Sequence, residues 1–146
     1  TIATASVATS AHEAFDYGYL LKSRDQVNMH NKTQIHRAKR KVIELAEQYT
    51  QPVSRNDINV LGRSGLGTLN TAAFTLLKGG YASEHDIKIA KKIAHVLCGG
   101  DLSGPQIVSE EYLLDLEREA FLSLCTEPKT MARIQHMLEN NKPLRN

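Results

Sequence analysis

Ser83-Glu84-His85-Asp86-Ile87-Lys88-Ile89-Ala90-Lys91-Lys92-Ile93-Ala94-His95-Val96-Leu97-Cys98-Gly99-Gly100 decides the fold class. Ser83 suits a helix cap, because its hydroxyl can accept a backbone N–H from the first turn. Glu84 and Asp86 fall in that turn, where carboxylates favour the positive end of the helix dipole. Ile87, Ala90, Ala94 and Leu97 recur at spacings of three and four and predict one buried stripe. Gly99-Gly100 supplies the stop, since glycine enters left-handed geometry without steric cost. The same grammar extends in both directions.

Upstream, residues 68–77 carry Leu69, Ala72, Ala73, Leu76 and Leu77 at helical spacing and end at Gly79-Gly80. The stretch 51–67 holds Pro52, Asn56-Asp57, Gly62, Gly65 and Gly67, and reads as a loop with at most a short strand over 58–61. A long helix is predicted over 32–49, with Ile35, Ala38, Val42, Leu45 and Tyr49 as a buried stripe and Pro52 closing it. Residues 10–20 place Ala11, Ala14 and Phe15 on one face and stop at Gly18. Downstream, Ser109 caps a helix that opens with Glu110-Glu111 and carries Leu113, Leu116, Ala120 and Leu124. A last helix runs over 128–140, with Pro128 in its first turn and Met131, Ile134, Met137 and Leu138 facing inward. The chain is therefore expected to be mainly α, with about six helices.

Composition agrees. The chain has 146 residues, 41% hydrophobic and 23% charged, the proportions of a globular protein. Aromatic residues make up 5% and Trp is absent, so the core must rest on Leu, Ile, Val and Ala, which suits packed helices. No apolar run approaches the roughly 18 residues of a membrane span, and no membrane partner is expected. A net charge of +2 is too small to imply a polyanionic partner. Cys98 and Cys125 have neither CxxC spacing nor a disulfide framework, and are expected to be buried free thiols in a reducing compartment. The opening Thr1-Ile2-Ala3-Thr4-Ala5 has no initiator Met and no secretory pattern, so the chain reads as a piece of something longer.

Few residues carry chemistry. His12, His30, His36, His85, His95 and His136 form no zinc-spaced pair and are expected on surfaces or lining helices. Ser83, Glu84, His85 and Asp86 have the residue types of a triad, but neighbours in sequence cannot converge as a triad must; capping accounts for them. Gly62-Arg63-Ser64-Gly65-Leu66-Gly67 lacks the lysine of a P-loop and reads as a flexible connection. The basic run His36-Arg37-Ala38-Lys39-Arg40-Lys41 has no interleaved aromatics and reads as a solvated helix face, with Glu44 and Glu47 in pairing range. Glu110-Glu111 and Glu117/Glu119 lie where nothing desolvates them, so no general acid is expected among them. No catalytic or metal-binding residue is assigned, and the competing reading is a non-enzymatic helical interaction or nucleic-acid-binding module.

Two stretches resemble a known family. Ser10-Ala11-His12-Glu13-Ala14-Phe15-Asp16-Tyr17-Gly18-Tyr19-Leu20 is similar to the Ala-x-Glu-Ala-x-x-x-Gly-Leu-Val segment of crotonase-fold (enoyl-CoA hydratase) proteins, with Tyr19 and Leu20 replacing Leu and Val. Glu117-Arg118-Glu119-Ala120-Phe121-Leu122-Ser123-Leu124 through Met137-Leu138-Glu139-Asn140-Asn141-Lys142-Pro143-Leu144 resembles the closing helices. The middle more closely resembles bacterial fusions of 3-hydroxyacyl-CoA dehydrogenase and enoyl-CoA hydratase. Ser83 to Lys92, Gly99-Gly100-Asp101, Tyr112 to Phe121 and Lys142-Pro143-Leu144-Arg145-Asn146 carry that likeness.

The resemblance implies the C-terminal helical portion of a crotonase-like α/β domain, without its sheet. Residues 1–30 would be the tail of the crotonase-like core, 31–104 a helical extension and 105–146 a C-terminal helical pair. It implies a cytoplasmic parent enzyme of fatty-acid β-oxidation that uses NAD and an acyl-CoA substrate. The catalytic residues would lie upstream, leaving this piece inactive and without a cofactor of its own. By position, Phe121 and Lys142 match an aromatic and a lysine that approach the nucleotide end of CoA. Self-association or a thiolase partner is expected, and nucleic acid is not.

Overall fold

The computed structural model describes residues 7–146. They form two compact units, 7–53 and 54–146.

In the 7–53 unit, α1 (Ala11–Asp16) is capped by Ser10, whose hydroxyl accepts the Glu13 N–H. Gly18, at φ +76°, follows its end, as the sequence requires. A single 3-10 turn at Asn31–Thr33 leads into α2 (Gln34–Ala46). Here the sequence reading needs two corrections. The helix ends at Ala46 instead of continuing to Tyr49, and its apolar stripe is not buried. Ile35 is 85% exposed, Val42 65% and Tyr49 71%. The periodicity reports amphipathicity correctly, but periodicity cannot say whether anything covers the apolar side.

The 54–146 unit contains β1 (Ile58–Val60), α3 (Gly62–Lys78), α4 (Glu84–Leu97), β2 (Gln106–Val108), α5 (Glu110–Cys125) and α6 (Pro128–Asn140). Helices pack in chain order, α3 on α4, α4 on α5 and α5 on α6. β1 and β2 form an antiparallel ladder with Ile58 opposite Val108 and Val60 opposite Gln106. The mainly α expectation of six helices holds. β2 is an addition: three residues are too few to show alternation, and pairing with β1 is what makes them a strand.

The glycine-rich stretch is also corrected. Residues 62–67 are not a connection but the opening of α3. Gly62 sits at φ +59°, and a Cβ there would strike the Gly104 carbonyl. A Cβ on Gly65 would strike Leu61 and meet Cys98 Sγ at 3.2 Å. These glycines let α3 approach the end of α4; the Gly62 N–H donates to the Cys98 carbonyl at 3.0 Å and the Arg63 N–H to Leu102 at 2.9 Å. At that crossing lie Val60 and Cys98, while Ala73, Ile87, Ala94 and Ala120 complete the buried apolar set.

Other stripe positions fare unevenly. Leu97 and Leu138 are exposed, and Met131 and Met137 are only partly covered. Cys98 is buried as expected, whereas Cys125 is half-buried.

Candidate functional site

Two features of the 54–146 unit stand out, one polar and one apolar. The polar one grows from the α4 cap. Ser83 and Asp86 form a reciprocal capping box, with the Asp86 N–H donating to the Ser83 hydroxyl and the Ser83 N–H donating to Asp86 Oδ2 at 2.9 Å. The Ser83 hydroxyl also donates to Asp86 Oδ2 at 2.9 Å. Asp86 then reaches across to α6, where Arg133 Nη1 donates to its Oδ1 at 2.7 Å. The same guanidinium donates to Asn146 Oδ1 at 2.8 Å and to the Asn146 carbonyl at 3.2 Å. Asn146 in turn donates to the Lys129 carbonyl at 3.2 Å. One arginine thus ties the start of α4, the body of α6 and the segment after it.

Burial pushes the Asp86 carboxyl up, but the Ser83 backbone N–H, Arg133 and the Ser83 hydroxyl outweigh it and leave the pKa lowered. His85 is buried beside this network, and its Nε2 lies 3.0 Å from Thr130 Oγ1. Burial, with Arg133, Lys129 and Lys88 nearby, holds the imidazole below its ordinary pKa against the weaker pull of Glu127. The expectation that His85 lines a helix holds, but its burial and its Thr130 partner on α6 were not foreseen. Ser83 and His85 do not work as a nucleophile and base: the serine faces Asp86 and the histidine faces Thr130. Capping, as read from the sequence, explains Ser83 and Asp86.

The apolar feature is a groove of about 670 Å³ between α4 and α5, floored by β1. Val96 and Leu97 line one wall, Leu114, Phe121 and Leu124 the other. Glu110, Glu117 and Lys92 stand at its polar margin. Glu110 is anchored there, its N–H donating to the Arg55 carbonyl at 2.7 Å and its Oε2 accepting the Arg55 N–H at 3.0 Å. Phe121 is 56% exposed, so its ring has a free face toward this groove. Lys142 lies beyond α6, exposed, and is not among the groove's lining residues. The structure therefore does not bring Phe121 and Lys142 into one cavity. The arrangement can bind an apolar group or another protein surface; it holds no assembled acid–base pair. Among the described residues no cluster of His, Cys, Asp and Glu could hold a metal ion. None of their helices is long and apolar enough to cross a membrane.

Comparison with known proteins adds one relationship. All 146 residues align, at 44% identity, with part of a probable 3-hydroxyacyl-CoA dehydrogenase of Bacillus subtilis (strain 168). The chain is homologous to a piece of that enzyme. It spans 18% of that relative's length. No family model matches the chain, and no solved structure does.

Proposed function

We propose that this chain is a helical part of an NAD-dependent 3-hydroxyacyl-CoA dehydrogenase of fatty-acid β-oxidation, in a protein that also carries an enoyl-CoA hydratase. The observation that carries this reading is the alignment, at 44% identity, over all 146 residues of the chain. The hydratase half rests on the likeness of residues 10–20 and of the closing helices to crotonase-fold proteins. In this reading residues 1–30 end the crotonase-like core, 31–104 extend it and 105–146 close it, and the protein works in the cytoplasm. The chain contributes packing and one wall of the CoA pocket, and the reacting groups belong to the rest of the protein.

Phe121 is the residue that geometry favours for the CoA contact, because its exposed ring borders the apolar groove. An aromatic face can cover adenine, and the exposed Lys142 ammonium can attract phosphate. In the whole protein, Phe121→Ala should raise KM for acyl-CoA about tenfold with kcat little changed, the loss of one stacked base. Lys142→Ala should raise KM for CoA thioesters but not for pantetheine thioesters, which lack the nucleotide. The 146-residue chain alone should turn over neither 3-hydroxyacyl-CoA nor crotonyl-CoA. Turnover of either by the chain alone, or a whole protein inactive on both, defeats the proposal. Self-association, or a thiolase, completes the proposed set of partners.

A further inference from the structure

α2 buries none of its side chains, although its sequence is strongly two-sided. Laid out at about 100° per residue, Ile35, Ala38, Val42, Leu45 and Ala46 share a stripe roughly 100° wide. Lys39 flanks the stripe on one side and Lys41 on the other, with Arg37 and Arg40 behind; Ile43 lies just past Lys39. Against these four cations the helix has one carboxylate, Glu44, which Lys41 already contacts at 2.8 Å.

Both halves of this pattern must be satisfied by whatever covers it. A stripe with Ile35, Val42 and Leu45 each more than half exposed calls for an apolar medium. Cations on both flanks call for negative charge on both sides of that medium. A nucleic-acid duplex offers phosphates but would leave the stripe wet, and α2 has no aromatic residue to stack on bases. An anionic bilayer surface offers an acyl boundary beneath the stripe and phosphates along both flanks, within reach of lysine stems that extend toward headgroups. We propose that α2 lies flat on an anionic lipid surface with the Ile35–Val42–Leu45 stripe down. The lack of a spanning helix has no bearing on a helix lying in the interface plane.

The test is co-sedimentation of the protein with vesicles of phosphatidylcholine alone or mixed about three to one with phosphatidylglycerol. Binding should be confined to the anionic vesicles and weaken at about 0.5 M salt. Val42→Asp, and Lys39→Glu combined with Lys41→Gln, should each weaken it by at least about tenfold while leaving helix content unchanged. Three results overturn the proposal: no binding to anionic vesicles, equal binding to both kinds, or variants that sediment like the parent. A fourth is a drop of several degrees in Tm for Val42→Asp, which would mean that protein covers this face.

Discussion

At the scale of single residues, His85 carries the most consequence. Its imidazole is buried against Thr130 and surrounded by Arg133, Lys129 and Lys88, with Glu127 as the opposing carboxylate. Its folded pKa lies below the ordinary 6.5, so near that pH the unfolded chain binds more protons than the folded one. The stability that neutral His85 supports is therefore complete above about pH 6.5 and is lost as pH falls toward the folded value. Asp86 and Glu127, with lowered pKa values, keep their contributions through this window and lose them only further down, as pH falls through the ordinary carboxylate range toward their folded values. His85→Gln keeps a hydrogen-bonding side chain but removes the titration. Thermal unfolding followed from about pH 7.5 to about pH 5 should show a flatter slope in the variant than in the parent. Equal slopes would mean that His85 does not govern this window. The sequence could not reveal this: Ser83 and Asp86 are three residues apart and announce a cap, whereas Thr130 and Arg133 lie 45 and 47 residues from their partners.

At the scale of elements, the legible features were those written locally. The caps at Ser83 and Ser109 and the stops at Gly18, Gly80 and Gly99 all appear where the sequence puts them. The start of α3 was not legible, because glycine has two uses and composition cannot separate them. At Gly62 the use is both conformational and steric, with φ at +59° and the Gly104 backbone against the missing Cβ. Gly62→Ala should therefore destabilise the protein by about 2 kcal/mol or more, combining strain at positive φ with overpacking. Gly67→Ala is the control, since nothing lies within 4 Å of a Cβ there. In an exposed helical position that change should be neutral or stabilising by up to about 1 kcal/mol. Chemical denaturation of the two variants checks the contrast; matching midpoints would return residues 62–67 to the role of a plain connection.

At the scale of the whole molecule, the sequence predicted more burial than the structure contains. Among the described residues the buried apolar set is six, Val60, Ala73, Ile87, Ala94, Cys98 and Ala120, three of them alanine. Stripes at helical spacing mark which side of a helix is apolar, and several such sides end in the open groove. Leu97 is 61% exposed on its α4 wall, with Leu114 and Phe121 on the α5 wall. Apolar surface of this kind associates when concentration allows, since its burial removes water-exposed hydrocarbon at about 25 cal/mol per Å². The 146-residue chain should accordingly self-associate through the groove, with its sedimentation-equilibrium mass rising with concentration. Leu97→Lys puts a strongly hydrated ammonium at the groove wall and should weaken association by about tenfold or more. Because Leu97 is already exposed in the single chain, the substitution removes little packing and should leave the unfolding midpoint within about 0.5 kcal/mol. A chain that is monomeric at every concentration, or a Leu97→Lys variant that associates as the parent does, would assign these side chains to another surface.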